Sequence, residues 1–374
     1  MLQVEALREP VVAPPLLEPE QVNMRIAQVA PLYESVPPQL YGGTERIVHY
    51  LTEELVALGH DVTLYAAGDS RTSADLISVC PRSLRLDDGC VDSLAHHMTM
   101  LELLSRQHQD YDIVHFHIDY LHFLMSRMLG LRQLTTLHGR LDLPDLQPLY
   151  YGFKDMPVVS ISDSQRTPLP QANWVGTVLH GLPENLLPFS ATPSGYLAFV
   201  GRVSPEKRVD RAIEIAKALG KPLRIAAKID RNDRDYYETQ IAHLFDHPLV
   251  DYIGEIEEGD KAEFIGGADA LLFPIDWPEP FGLVMIEAMA CGTPVVAFDH
   301  GSVREVLEDG VTGYIVSDMP AAIEAARRAP ALDRRRIRQT FEQGFSARRM
   351  AEDYLELYGE LCQTPGRRLG TRAA

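Results

Sequence analysis

The sequence predicts an α/β protein made of two successive parallel-sheet domains, and three observations carry that prediction. At 374 residues the chain is long for one hydrophobic core, so two domains are the ordinary outcome. From Met24 the order runs strand (MRIAQVA), glycine turn (YGGTE), helix (Arg46 to Leu58), strand (GHDVTLYAA), a pattern that a βαβ unit fits comfortably. A second series of β-branched apolar runs, interleaved with helical patterns, begins after Gly195.

The elements follow in chain order. Met1 to Asn23 carries Glu5, Glu9, Glu18 and Glu20 against Arg8, the wrong charge for a leader peptide, so residues 1–23 are expected to be a disordered extension. Residues 24–190 hold the first domain, with later strands at DIVHFH (Asp112 to His117), QLTTLH (Gln133 to His138) and PVVSIS (Pro157 to Ser162). Each ends in a polar residue. Ligands of open parallel sheets sit beyond the carboxyl ends of the strands, which directs His117, His138 and Ser162 toward one crevice. After the irregular Gly181 to Gly195, residues 191–345 form the second domain, with strands YLAFVG, LRIAAKI, LVDYIG, ALLFPI and PVVAF. Its helices include Asp210 to Ala218 and Phe281 to Ala290. Residues 346–362 are helical by periodicity, and 363–374 are expected as a flexible tail.

Composition narrows the function. A net charge of −18 argues against nucleic acid as a main partner, because phosphate backbones demand clustered Lys and Arg. Four cysteines without a C-x-x-C pairing indicate neither a zinc site nor a disulfide framework, and a reducing cytoplasm is the simplest home. No apolar run approaches the roughly 20 residues that cross a bilayer. The arginines of 327–338 and 348–372 read as a solvated surface, or at most as a peripheral membrane contact.

The chemistry centres on EPFGLVMIE, Glu279 to Glu287. Pro280 and Gly282 disfavour a helix through the whole stretch, so the helix is expected to begin near Phe281 to Leu283, with Glu279 on the loop before it. The run that follows is apolar nearly all round, which marks a buried helix; Glu287 is its one charge and needs a partner. Gly292 stops the helix and PVVAF returns as a strand. Helix-end amides suit phosphate and carboxylates suit sugar hydroxyls, so this segment points to an anionic, polyhydroxylated ligand.

Other motifs stay open when read alone. Gly42 and Gly43 stand where a phosphate-binding turn belongs, yet lack the spaced G-x-G-x-x-G; they equally make a tight turn with Thr44 as N-cap. Arg202 and Lys207, in GRVSPEKR after a strand, either converge on a diphosphate or form an ordinary basic surface. His115, His117 and His122 invite a metal reading, but no acid or thiol stands at a completing spacing. His138, followed by Gly139 at a strand end, is the better placed for a ligand. The DRD at Asp233 to Asp235 reads as a charged helix start rather than a metal site.

Taken together, EPFGLVMIEAMACGTPVVAF and FVGRVSPEKRVD resemble glycosyltransferase family 4, the retaining nucleotide-sugar transferases of the GT-B fold, and the resemblance runs from Met24 to about Leu361. It implies two Rossmann-like domains facing across a cleft, with the C-terminal helix crossing back to the first. It implies that Arg202 and Lys207 bind the donor diphosphate, that Glu287 holds the ribose, and that Glu279 contacts the transferred sugar with backbone help from Phe281, Gly282 and Leu283. His138 is similar to the family's histidine near the reacting sugar, and Gly42 and Gly43 to its glycine loop. The chain departs from the family at LHGLPENL, where His180 and Asn185 stand in the hinge region. The segments FHIDYLHF and HGRLDLPDLQPLYYGF are expected on the acceptor side, their aromatics either stacking on a sugar ring or packing.

The resemblance further implies a hexosyl transfer without a divalent metal or other cofactor, in which the leaving phosphate takes the acceptor's proton and Glu279 orients rather than attacks. UDP-glucose is the first donor expected and GDP-mannose the second; the acceptor, a carbohydrate, lipid or small molecule, is unspecified. A nucleotide-sugar epimerase or hydrolase on the same fold, and a noncatalytic sugar-nucleotide binder, are the competing readings.

Overall fold

The structure is a computed structural model that describes residues 23–39 and 42–363. The expected disordered extension and flexible tail fall, save Asn23 and Gln363, outside the described residues. Two wholly parallel sheets organise the chain. The first contains β1 (Arg25–Val29), β2 (Asp61–Tyr65), β3 (Asp75–Ile77), β4 (Ile113–Phe116), β5 (Gln133–Thr136), β6 (Pro157–Ser160) and β7 (Asn173–Thr177), in the order β3-β2-β1-β4-β5-β6-β7. The second contains β8 (Tyr196–Arg202), β9 (Leu223–Lys228), β10 (Val250–Gly254), β11 (Ala268–Phe273), β12 (Val295–Phe298) and β13 (Gly313–Val316), in the order β10-β9-β8-β11-β12-β13.

Strand order reverses once in each sheet, beside β1 and β4 in the first and beside β8 and β11 in the second. A crevice opens at such a reversal, because successive connections leave in opposite directions. The loops that leave these four strands carry Gly42 and Gly43, His117, Arg202 and Lys207, and Glu279.

β3, β7 and β13 were not expected. β3 has three residues, largely exposed at the sheet's edge; β7 is only half-buried and contains Gly176; β13 has four residues. None is long or apolar enough to announce itself by periodicity. The first helix spans Gly43–Ala57, so Thr44 lies inside its first turn and is not the N-cap; Gly42 holds that position without a side-chain bond.

Helix Leu283–Cys291 is buried on nearly every side, as its apolar run requires, and ends at Gly292. The last helix, Ala347–Gln363, crosses to the first sheet and lies against helix Gly43–Ala57, with Tyr354 and Tyr358 wholly buried. Three arginines of the basic stretches are internal struts. Arg334 donates to the carbonyls of Ser190, Gly266 and Ala268; Arg338 to those of Glu184, Leu187 and Ala290; Arg349 to those of Leu179 and His180. For these three, neither a solvated nor a membrane-facing role survives, since carbonyl oxygens that end helices and loops have claimed the guanidiniums. Among the described residues no helix is long and apolar enough to cross a membrane.

Candidate active site

All ten residues singled out for the site line a single cleft of about 740 Å³: Gly42, Gly43, His138, Arg202, Lys207, Glu279, Phe281, Gly282, Leu283 and Glu287. His117 and His180 line it too; Asn185 does not. Ser162, expected at the crevice, is buried: its hydroxyl donates to the Pro280 carbonyl at 2.6 Å and caps the short helix that follows. It therefore acts as a strut from the first half of the chain to the loop that carries Glu279. The amides of Asp163 and Ser164, donating to Glu305 at 2.6 and 2.8 Å, add a second strut.

The loop after β11 is stitched to the loop after β8. Arg208 and Arg211 hold the Asp276 carboxylate at 2.7 and 3.0 Å, and the Asp276 amide donates to the Glu206 carbonyl. This sets Lys207 against Glu279, whose carboxylate also accepts from the Trp277 indole at 2.9 Å. Arg202 turns to Glu206 at 2.8 Å and Asp233 at 3.4 Å. The two expected diphosphate cations are each paired with a carboxylate, a contact that an anion can replace by exchange. Asp233, of the DRD triplet, thereby pairs with a cation.

Gly282 and Gly301 shape this loop. Gly282 holds φ +79 in front of the helix, and a β-carbon there would strike the Phe273 ring and Met285 at 2.9 Å. Gly301 holds φ +60 with its backbone pressed on Glu279: a β-carbon would lie 2.3 Å from both the Glu279 nitrogen and oxygen. Gly301→Ala is therefore expected to displace Glu279, costing about 1–3 kcal/mol of stability from overpacking. A thermal melt and the transfer rate together check this, and an unchanged melt with full activity contradicts it.

At the other end of the cleft the buried Glu287 finds its partners. Lys261 Nζ lies at 2.8 Å and Arg46 Nη1, from the opposite half, at 3.2 Å; both cations also reach Glu258. Burial pushes the Glu287 carboxyl up, but Lys261 and Arg46 outweigh it and hold the group below the ordinary range. Neither cation had been singled out; a lysine within an acidic helix start and an arginine in a first turn look like solvated charge.

The histidines are a block rather than a metal centre. His115 and His117 sit ring to ring at 4.1 Å, as the strand's period of two requires. His122 spends its nitrogens on Ser126 and Thr135 and stacks on Phe116 at 3.5 Å. Among the described residues no group of three or more His, Cys, Asp or Glu side chains is arranged to hold a metal ion. His138 is bonded to His117 at 2.9 Å and stacks near His180 at 5.4 Å. Burial pulls the His138 ring down to about 3, and His115, His117 and His180 well below the usual range, so all four are neutral at pH 7.

On the side expected for the acceptor, Tyr33, Asp119 and Tyr120 line the cleft. Asp119, exposed on the cleft surface, adopts the left-handed region, φ +50, which an L-residue enters at a cost; the cleft walls raise its carboxyl by desolvation, an effect that its exposure to solvent limits. Of the aromatics in HGRLDLPDLQPLYYGF, Tyr150 and Phe153 pack on Phe123, and Tyr151 is exposed away from the cleft.

Comparisons with known proteins agree with this fold. A family model described as "Glycosyltransferase Family 4" matches residues 41–175, and one described as "Glycosyl transferases group 1" matches residues 189–336. The chain is 27% identical over 337 residues to a phosphatidyl-myo-inositol mannosyltransferase of Mycobacterium tuberculosis, covering 83% of this chain and 86% of that one. It is 26% identical over 377 aligned positions to a glycogen synthase of the same organism, covering 84% and 89%. Among solved structures, a sucrose-phosphate synthase from Thermosynechococcus elongatus superposes with a TM-score of 0.74 at 20% identity, over 91% of this chain and 99% of the other.

Proposed function

Because the chain belongs to glycosyltransferase family 4 and has the GT-B fold, we propose that it is a retaining, metal-independent transferase that moves a hexosyl unit from a nucleoside diphosphate sugar to an acceptor hydroxyl. The observation that carries this reading is the pairing of Lys207 with Glu279 immediately ahead of the helix Leu283–Cys291, with Arg202 on the same wall. An incoming diphosphate takes Lys207 and Arg202 from their carboxylates and meets the amides at the start of the helix, around Gly282 and Leu283. Glu279, released from the lysine, turns to the sugar.

Cleavage of the anomeric C–O bond builds positive charge on the ring and negative charge on the departing phosphate. Cations and helix amides already fixed at that phosphate stabilise the separation, and the phosphate oxygen takes the proton of the acceptor hydroxyl. Glu287 serves the ribose at the far end of the cleft, and the Gly42–Gly43 turn lies beside the phosphates. Asp119, Tyr120 and Tyr33 are placed to receive the acceptor.

We put UDP-glucose first as donor and GDP-mannose second, and place the enzyme in the cytoplasm, which suits its four free thiols. Incubation with a panel of nucleotide sugars, with nucleotide release as readout and the anomeric proton coupling of the product by NMR, tests the proposal. Retained configuration with a chelator present is the expected result. Nucleotide release that is as fast without any acceptor overturns transfer in favour of hydrolysis, and release of none defines a binder.

A further inference from the structure

From His138 in the cleft an unbroken hydrogen-bonded chain of residues without a role in the proposed reaction runs to the crossover helix. His138 meets His117 Nδ1 at 2.9 Å; His117 Nε2 meets Gln28 Oε1 at 2.8 Å; Gln28 Nε2 donates to the Tyr358 hydroxyl at 3.1 Å. From Tyr358 the chain continues to His115 Nδ1 at 2.7 Å, from His115 Nε2 to the Thr136 hydroxyl at 2.8 Å, and to the Tyr354 hydroxyl at 2.8 Å. Gln28, Thr136, His115, Tyr354 and Tyr358 are each fully buried, so water does not substitute for any missing partner.

Such a chain has a polarity. A neutral imidazole carries one proton, so the role of one nitrogen dictates the role of the other. Gln28 is the amide that orients the chain: its carbonyl oxygen only accepts, which puts the His117 proton on Nε2 and leaves Nδ1 bare. Bare Nδ1 accepts from His138, whose proton therefore sits on Nε2. His138 Nδ1 is left as a lone pair, and it has no partner among the described residues. At the other end the Tyr358 hydroxyl accepts from Gln28 Nε2 and gives its own proton to His115, and every bond along the line has one donor and one acceptor.

We propose that Gln28 and Tyr358 are positioning residues that act through His117: they hold His138 as the neutral Nε2–H tautomer with Nδ1 free to accept, and so couple the seating of the crossover helix to the state of a cleft histidine. The inference rests on the reading that His138 serves the transfer.

The test uses the full-length chain with 15N-labelled histidine. Wild type is expected to show His138 as the Nε2–H tautomer. Gln28→Leu is expected to mix the tautomers and to lower kcat about 10- to 100-fold while the donor KM stays within about twofold. Gln28→Glu, which keeps an acceptor oxygen beside His117, is expected to restore the single tautomer and most of kcat. Should Gln28→Leu fail to fold, Tyr358→Phe removes one oxygen, keeps the ring, and is read the same way. A His138 proton on Nδ1 in wild type, or a Gln28 variant that leaves both tautomer and kcat unchanged, overturns the proposal. The spectrum is read without turnover, so failure of the transfer reading shows separately, as full transfer by His138→Ala.

Discussion

Glu279→Gln is expected to keep donor binding and to lose transfer, with kcat lower by about 10²-fold or more. The substitution preserves volume and the bond that Trp277 donates, and removes only the charge that Lys207 holds in the resting site. Ground-state affinity for the nucleotide depends on Arg202, Lys207 and Glu287 and is expected to stay within a few-fold by calorimetry. What disappears is stabilisation of the positive ring, which exists only at the transition state. The same variant separates two routes to retention: a covalent route predicts a glycosylated Glu279 in wild type with a slow donor, detectable by mass spectrometry, whereas the front-face route predicts none. Full transfer by Glu279→Gln would contradict the role assigned to this residue.

Glu287→Ala carries the largest expected effect on stability, a loss of about 3–5 kcal/mol, because it leaves two largely buried cations, Lys261 and Arg46, sharing the single carboxylate of Glu258. The loss comes from breaking one side of a paired set, and replacing Glu287 and Lys261 together by apolar residues is expected to cost far less. Denaturant melts of the single and double variants measure the difference; equal melts would show that Glu258 alone compensates the lysine. Nucleotide affinity is expected to fall in both variants, since Glu287 is the proposed acceptor for the ribose hydroxyls. The pH dependence has a definite sign. The Glu287 carboxyl is held below its unfolded value, so its contribution is fully present above the unfolded pKa, near 4.5, and disappears as pH falls through the lower folded value. Wild type is expected to lose this increment only in acid below about pH 4, and Glu287→Ala to melt with a flatter acid limb.

Much of this was legible in the sequence because it was written locally. Pro280 and Gly282 mark where one helix must begin, Gly292 where it must stop, and the apolar run between them says that it is buried. Strand ends of polar character led to His117 and His138 in the cleft. Ser162 obeyed the same rule and was misread, because a hydroxyl at a strand end serves equally well to cap a helix or to bond a neighbouring loop. Arg46, Lys261, Gln28 and Tyr358 were invisible for a different reason. Their partners are 241, 26, 89 and 330 positions away respectively. Periodicity and spacing report on neighbours in sequence, and nothing local distinguishes a charge that will cross a cleft from one that will face water.

That last separation has a bearing on how the protein is made. Gln28 lies on β1, among the first residues of the fold to leave the ribosome, while its partner Tyr358 follows 330 residues later. At the about 5–20 residues per second of translation, the first sheet waits tens of seconds for the helix that completes its interior. During that interval Gln28, His115 and Thr136 line an open polar slot beneath β1 and β4 rather than a closed core. The crossover helix is thus the segment that closes this slot, and the polar interior of the first sheet is complete only when it docks.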